Sequence, residues 1–318
     1  MKSKIEHYLD LASKAYYDGE PFISDEQFDR LAESVDYNKV GAKQHDNVAK
    51  HFSRMYSLQK YYEDEDQKRP LVGVGDISMS VKLDGAAISL LYIDGELARV
   101  LTRGDGIEGQ DVTNKFLHSN IVPQYIEDRE IIQVTGELVA PLNIENARNY
   151  AAGALNLKSV EEFRQRAVSF YAYGVFPSQQ PTYDKDMRWL ENRGFSTVKT
   201  LDLDKIFPSD GVVYRVNSNQ VFEEMGYTAK HPRGAYALKE RGEHVETKLL
   251  DVEWQVGKSG KVTPVAILEP VLVGDAMVSR ATLNNPGFIE ALGLEIGDTV
   301  AIIRAGEIIP CVLHKVDA

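Results

Sequence analysis

Lys82, Asp84 and Gly85 open the run V-K-L-D-G-A-A-I-S-L-L-Y-I-D-G-E-L-A-R-V-L-T-R-G-D-G-I-E-G-Q-D-V, residues 81–112, and their types set the chemistry to consider. A lysine so placed is either a surface strand residue or a nucleophile that forms a covalent intermediate. K-x-D-G alone is a weak signal, since at average residue usage it recurs by accident in about one chain in ten or twenty of this length. Weight comes from charged residues downstream: Glu137 in V-T-G-E-L, Arg148 in A-R-N, Asp210 and Arg215 in S-D-G-V-V-Y-R, and Lys239 in A-Y-A-L-K. One lysine ringed by further cations and carboxylates has the composition of a phosphate-handling site.

The elements that must carry these residues can be read from periodicity. Ile88, Leu90 and Tyr92 alternate as a half-buried strand does, Asp94-Gly95 signals a type I′ turn, and Leu97 to Thr102 supplies the return strand. Arg103-Gly104-Asp105-Gly106 ends this hairpin in a polar turn that can aim a guanidinium and backbone N–H groups at an anion. Further strands are expected around residue 80 and at 131–137, 168–175, 211–216 and 235–239, with helices at 143–155 and 184–193. Before them, Ile5, Tyr8, Leu9, Ala12 and Ala15 have helical spacing, and Ser24 with Gln27 forms a capping box for a second helix bearing Phe28, Leu31 and Val35. Beyond Thr247 the chain reads as strand and turn with one short helix near 288–292, the pattern of an OB barrel. G-V-G-D-I-S at Gly73 mimics a dinucleotide fingerprint, but Ser78 takes the third glycine position and a strand follows, so a Rossmann site is rejected.

At 318 residues and 43% hydrophobic content the chain can build more than one core. Cys311 is the only cysteine, which excludes an internal disulfide and a cysteine-rich zinc module, and no apolar run is long enough for a bilayer span. Both fit a cytoplasmic protein. The net charge of −12 is awkward for binding a polyanion, but the acidity is heaviest in Glu63-Asp64-Glu65-Asp66, a solvated linker, and the basic residues gather near the proposed site.

The blocks Y-Y-D-G-E-P-F-I-S-D-E-Q-F-D, K-L-D-G through T-R-G-D-G-x-x-G-x-D-V-T, A-R-N-Y-A-A-G-A-L, D-G-V-V-Y-R-V-N and W-Q-V-G-K-S-G-K-V-T-P-V-A-I-L-E-P follow one another from about His7 to Val316. In that order they resemble the NAD-dependent DNA ligases of bacteria and some of their viruses. The resemblance implies an α+β multidomain chain. It would comprise a helical NMN-binding part (1–65), a nucleotidyltransferase domain of ATP-grasp-like antiparallel sheets (66–241) and an OB domain (242–318).

It also implies a chemistry. Lys82 would attack the α-phosphorus of NAD, expel NMN and carry AMP, then pass AMP to the 5′-phosphate of nicked double-stranded DNA before the 3′-hydroxyl closes the nick. A free lysine is protonated at neutral pH, so its site must favour loss of that proton, and Lys239 and Arg215 are the cations expected beside it. Arg215 stands where the family usually has lysine. Asp84 and Glu137 are expected to hold Mg²⁺ through water, Glu137 also suiting a ribose, while Arg103 and Arg148 would hold phosphates in the later steps. Tyr16 or Tyr17 would stack on the nicotinamide, Asp25 and Asp29 would bind the NMN half, and Ser57 and Leu58 would touch the nucleotide. Phe28 lacks the hydroxyl of the family's usual tyrosine. Ser80 replaces an adenine-reading glutamate and Asn156 a second arginine, so adenine recognition is expected to lean on backbone groups.

Two other readings remain: an ATP-using nucleotidyltransferase of the RNA ligase or capping type, and a DNA-binding scaffold without activity. The cellular ligases continue beyond the barrel into zinc-finger, helix-hairpin-helix and BRCT modules. This chain is therefore expected to be a fragment, a minimal viral enzyme, or a subunit whose partner grips the DNA. Lys258 and Lys261 of the G-K-S-G-K turn are expected to supply DNA contacts.

Overall fold

The computed structural model describes residues 4–17, 22–35, 47–62, 69–117, 119–239, 244–256, 262–273, 276–305 and 309–316. They form two compact units, Met1–Lys239 and Glu240–Ala318.

The first unit opens with α1 (Lys4–Tyr17) and α2 (Asp25–Ser34). Ser24 caps α2, accepting from Gln27 N–H while the Gln27 side chain accepts from Ser24 N–H, the reciprocal pairing expected of the capping box. Short strand β1 (Val48–Lys50) and β2 (Gln59–Tyr62) precede β3 (Ile77–Leu83), and then the hairpin β4 (Ala86–Ile93) and β5 (Glu96–Thr102). Asp94 and Gly95 both have positive φ, 50° and 81°, as a type I′ turn demands. There follow β6 (Glu108–Gln110), α3 (Thr113–Phe116), β7 (Ile132–Val139), α4 (Ala147–Asn156), α5 (Val160–Arg164), β8 (Ser169–Phe176), α6 (Tyr183–Glu191), β9 (Ser209–Val216), α7 (Asn219–Met225) and β10 (Ala235–Lys239).

Two four-stranded sheets result, β5-β4-β7-β8 and β2-β10-β9-β3, and β1 pairs with β6. All ladders are antiparallel except β2 on β10. Residues 48–50 and 59–62 thus lie in strands, ahead of the 65/66 boundary read from the sequence. Strand β4 is buried on both faces. Ile88, Leu90 and Tyr92 join the main core with Phe116, Phe163, Met187 and Leu190, whereas Leu91 and Ile93 pack with Ile5, Leu9 and Leu31 of the helical pair. Each such side chain contributes about 1.5–3 kcal/mol of burial free energy, which fixes the hairpin that carries Asp84 at its start. The helix expected over 143–155 starts at Ala147 instead, because Asn146 adopts the left-handed conformation (φ 52°) and ends the preceding turn.

The second unit is a closed barrel in the order β11-β12-β13-β15-β14. Its strands are β11 (Val245–Val256), β12 (Val262–Val273), β13 (Ala276–Thr282), β14 (Thr299–Ala305) and β15 (Ile309–Lys315), with α8 (Pro286–Leu292) between β13 and β14. Leu249, Leu268, Val278, Ile302 and Val312 fill the interior, and a parallel contact between Thr282 and Cys311 closes the ring. Five strands with one short helix make the OB architecture.

Candidate active site

The K-L-D-G tetrapeptide links the two sheets of the first unit. Lys82 lies at a register shift between Val81 and Leu83 near the end of β3, and β4 begins just past Gly85. A Cβ on Gly85 would stand 2.2 Å from the Leu138 carbonyl oxygen and 2.9 Å from Val139 Cγ1, so the glycine is what lets this link lie against β7. On its other side the link is pinned by Asp84 N–H, which donates to the Pro208 carbonyl at 2.8 Å. The Asp84 side chain is buried at 5% exposure, and Arg148 Nε, from the first turn of α4, stands 3.3 Å from its Oδ1.

Asp210 ties the two lysines together. Its Oδ1 lies 2.7 Å from Lys82 Nζ, and its Oδ2 accepts from Lys239 Nζ. The next residue, Gly211, has φ 141°, and a Cβ there would meet the Leu238 carbonyl at 2.1 Å, so glycine alone lets β9 run this close to β10 beside Lys239. Burial favours the protonated form of Asp210, but Lys82 and Lys239 outweigh it and hold the carboxyl below the usual range. The site therefore has a carboxylate wedged between two ammonium groups at neutral pH.

Glu137, on β7, completes the constellation. Burial pushes its carboxyl up to about 7. Lys82 and Arg103 pull the other way, Asp84 adds to the rise, and a hydrogen bond from the Gly85 backbone N–H favours the anion. Tyr173 of β8 lies among the charges of Glu137 and Arg103, and its burial raises the phenol well above its ordinary range. Arg103 itself is exposed at the end of the hairpin, and its turn is held from behind by His51. His51 Nε2 is 3.1 Å from the Arg103 carbonyl and Nδ1 is 2.8 Å from Ser89 Oγ. A carbonyl only accepts, so Nε2 carries the proton and Nδ1 accepts the serine hydroxyl. Burial also lowers the His51 pKa, which keeps the ring neutral. Ser57 and Arg103 line one open pocket of about 330 Å³ together with Arg54, Tyr56 and Lys230, and Leu58 is half-buried next to it.

The fold thus gathers Lys82, Asp84, Arg103, Glu137, Arg148 and Lys239. Arg215 is a correction: it was expected beside Lys82, yet its guanidinium lies 4.5 Å from the Tyr183 ring centre and 4.0 Å from that of Phe222 and donates to Asn219 Oδ1 at 2.9 Å. The nearest charge to Lys82 is the Asp210 carboxylate, not a cation. Ser80 is half-buried and hydrogen-bonded to Tyr183, and Asn156 is exposed at the end of α4. Asp29 is exposed on α2. The side chains of Tyr16, Tyr17 and Asp25 lie outside the described residues, as do Lys258 and Lys261. Sequence reasoning counted Asp210 among the charged residues of the site without giving it a task, and did not single out Tyr173. Nothing local marks Asp210 as the bridge, because its lysines come from strands far apart in sequence, but Tyr173 had a signal in its alternation with Tyr171 on β8. Among the described residues no cluster of three or more His, Cys, Asp or Glu is arranged for a metal ion.

This arrangement, with nucleophile, paired cations and buried carboxylates on facing sheets, can be set beside known proteins. Residues 42–207 match the family model of the NAD-dependent DNA ligase adenylation domain, and residues 246–318 that of the NAD-dependent DNA ligase OB-fold domain. A DNA ligase of Sulfurovum sp. (strain NBC37-1) is 32% identical over 97% of this chain and 57% of its own length. One of Anaplasma marginale (strain St. Maries) is 35% identical over 97% of this chain and 52% of its own. The chain spans about half the length of these curated relatives. A solved structure from work on Lig E DNA ligases, described as binding DNA with a minimal scaffold, covers 82% of this chain and 98% of its own, with a TM-score of 0.52 at 16% identity, and so shares the fold. With the adenylation-domain match covering more than half of the residues and the barrel accounted for by the second, the chain belongs to the NAD-dependent DNA ligase family.

Proposed function

We propose that this chain catalyses NAD-dependent sealing of nicked double-stranded DNA through a lysyl-AMP intermediate on Lys82. The observation that carries the reading is the Lys82–Asp210–Lys239 bridge beside the buried carboxyl of Asp84 and the half-buried Glu137. In the first step Lys82 Nζ forms a bond to the adenylyl phosphorus of NAD while the bond from that phosphorus to the bridging oxygen breaks. NMN leaves with the electron pair of that bond, and the amine sheds its proton. Lys82 reacts only as the free amine, so its contact with Asp210 must open as the nucleotide phosphates enter. Lys239, already beside Asp210, is then placed to meet charge on the phosphate. AMP next passes from Lys82 to the 5′-phosphate of the nick, and attack by the 3′-hydroxyl releases it. Arg103 and Arg148 serve the phosphates of these later steps.

The three-part division, with 1–65 for NMN, 66–241 for adenylation and 242–318 for the barrel, is kept as a functional one. Asp25 and Asp29 with Tyr16 or Tyr17 hold the NMN half, and Ser57 and Leu58 touch the nucleotide. Arg215, from its aromatic setting, supports that nucleotide at a distance from Lys82. Two carboxyl groups, Asp84 and Glu137, fit Mg²⁺, which is held by one or two carboxylates with water and substrate phosphate making up the rest. Asp84 and Glu137 would hold the ion, and when bound it neutralises charge on the phosphates. No helix among the described residues is long and apolar enough to cross a membrane.

A labelled nicked duplex incubated with the protein and either NAD or ATP tests the reading. Sealing with NAD alone is the expected result. Sealing with ATP alone would reassign the donor, and none with either would leave a DNA-binding scaffold.

A further inference from the structure

Strand β2 reads Gln59-Lys60-Tyr61-Tyr62, and its register separates the two faces of its sheet. Tyr61 pairs with Leu238 and packs with Tyr236 (ring centroids 5.3 Å apart), on the face that buries Leu71, Val216 and Tyr214. Lys60 pairs with Ala237, which pairs with Val213, which in turn pairs with Ser80. Successive residues of a strand face opposite ways, so Lys60 shares the face of Lys239, two residues along from its partner Ala237. That is the face on which Lys239 meets Asp210 and, through it, Lys82.

Lys60 is exposed, and its ammonium makes no ion pair or hydrogen bond among the described residues. Its environment is nonetheless that of the site. Partial burial lowers its pKa, and the charges of Lys239, Lys82 and Arg148 add to the fall while Asp210 opposes it. The register of β2 on β10 and the charges from β3, β9, β10 and α4 agree in placing Lys60 on the face of the sheet that carries the site. A cation held against three others without a carboxylate of its own is poorly placed unless an anion joins it.

We infer that Lys60 is a further phosphate-positioning residue of this site, its ammonium holding with Lys239 the pyrophosphate of NAD while Lys82 attacks the adenylyl phosphorus. The inference rests on the proposed NAD-dependent reaction and adds a residue to it. The three lysines then lie across the sheet in the order Lys60, Lys239, Lys82, with β2 and β3 as its two edges. An extended pyrophosphate would run along that row, with its adenylyl end at Lys82.

The test is steady-state and single-turnover adenylylation of wild type, Lys60→Ala and Lys60→Arg over a range of NAD concentrations, with sealing of a pre-adenylylated nick measured alongside. Loss of a charged contact made to bound NAD should raise KM for NAD in Lys60→Ala about tenfold and leave kcat within about threefold. Lys60→Arg should recover most of the difference, and sealing of the pre-adenylylated nick should fall by less than KM for NAD rises, since that step uses no NAD and its pyrophosphate, which joins AMP to the 5′-phosphate of DNA, is held through the duplex as well. An unchanged KM would overturn the inference, as would a loss confined to the sealing step, which would give Lys60 to the DNA phosphate. A fall in melting temperature with an activity loss that arginine does not restore would mean a structural role and overturn it too. If wild type forms no adduct with NAD, the donor reading itself fails and this inference falls with it.

Discussion

Replacing Gly85 by alanine should damage both stability and the first chemical step, by an amount that follows from one contact. The added Cβ would sit 2.2 Å from the Leu138 carbonyl oxygen, where ordinary van der Waals contact begins at 3.4 Å, so β7 or the K-L-D-G link must retreat by about 1 Å. The obstacle is backbone at the end pair of the β4–β7 ladder, where Leu138 pairs with Ala86 on one side and with Phe170 of β8 on the other, and cannot swing aside as a side-chain tip could. Overpacking of this kind costs ~1–3 kcal/mol. In a unit of this size that lowers the melting temperature by roughly 3–10 °C. The same shift separates Asp84 from Glu137, since it falls between them, and a misplacement of about 1 Å can cost ~100-fold in rate. Thermal unfolding followed by circular dichroism, with single-turnover adenylylation read by intact mass, measures both effects. Gly153→Ala is the control: a Cβ there meets nothing within 4 Å, and in the interior of α4 alanine should be neutral or stabilise by up to ~1 kcal/mol. A Gly85→Ala protein that melts with wild type and adenylylates at its rate would refute the packing argument.

Three further outcomes are expected. Glu137 is raised from 4.5 to about 7, so the folded protein keeps a proton that the unfolded chain has lost. Its contribution to stability is therefore complete below about pH 4.5 and is lost as pH rises through 7. In metal-free buffer Glu137→Gln should accordingly be ~1–3 kcal/mol more stable than wild type at pH 8 and show little difference at pH 5, as read from urea midpoints. Asp25→Ala combined with Asp29→Ala should block adduct formation with NAD yet leave sealing of a pre-adenylylated nick; point changes are preferable to removing the helices, because Ile5, Leu9 and Leu31 are part of a shared core. An NAD adduct formed at wild-type rate by that double variant would remove the NMN assignment. Nick binding should weaken steeply between low and physiological salt, and Lys258→Ala with Lys261→Ala should flatten that slope, by about one unit of log–log slope per lost phosphate contact. A titration by fluorescence anisotropy that shows salt-insensitive binding would contradict this.

What the sequence disclosed is what short-range physics determines. The Asp94-Gly95 turn, the Ser24–Gln27 box and the alternation of Ile88, Leu90 and Tyr92 each depend on a few neighbouring residues, and each has its expected local structure. The site was legible as a set of charged residues but not as a geometry. Asp210 binds lysines from β3 and β10, and only strand order brings those together. Arg215 misled because a cation in a D-G-V-V-Y-R strand reads as a phosphate ligand, whereas the α6–β9–α7 packing gives it Tyr183, Phe222 and Asn219 as partners. Lys60 was given no role from the sequence; the parallel pairing of β2 with β10, formed across most of the first unit, puts it on the face of the sheet that carries Lys239. The parallel contact that closes the barrel is hidden for the same reason. Residues of β2 contributed by the segment before the first sheet showed no periodicity long enough to assign, being four residues in all.

The most direct measurement is the intact mass of wild type and Lys82→Ala after incubation with Mg²⁺ and NAD, and separately with Mg²⁺ and ATP. Wild type should gain one AMP from NAD and none from ATP, with the adduct cleaved by acid and stable to hydroxylamine at neutral pH, as a phosphoramidate on lysine requires. Lys82→Ala should gain nothing from either donor while retaining the wild-type circular dichroism spectrum and melting profile. An AMP adduct of equal yield in Lys82→Ala would contradict the assignment of the nucleophile, and an adduct from ATP alone would contradict the assignment of the donor.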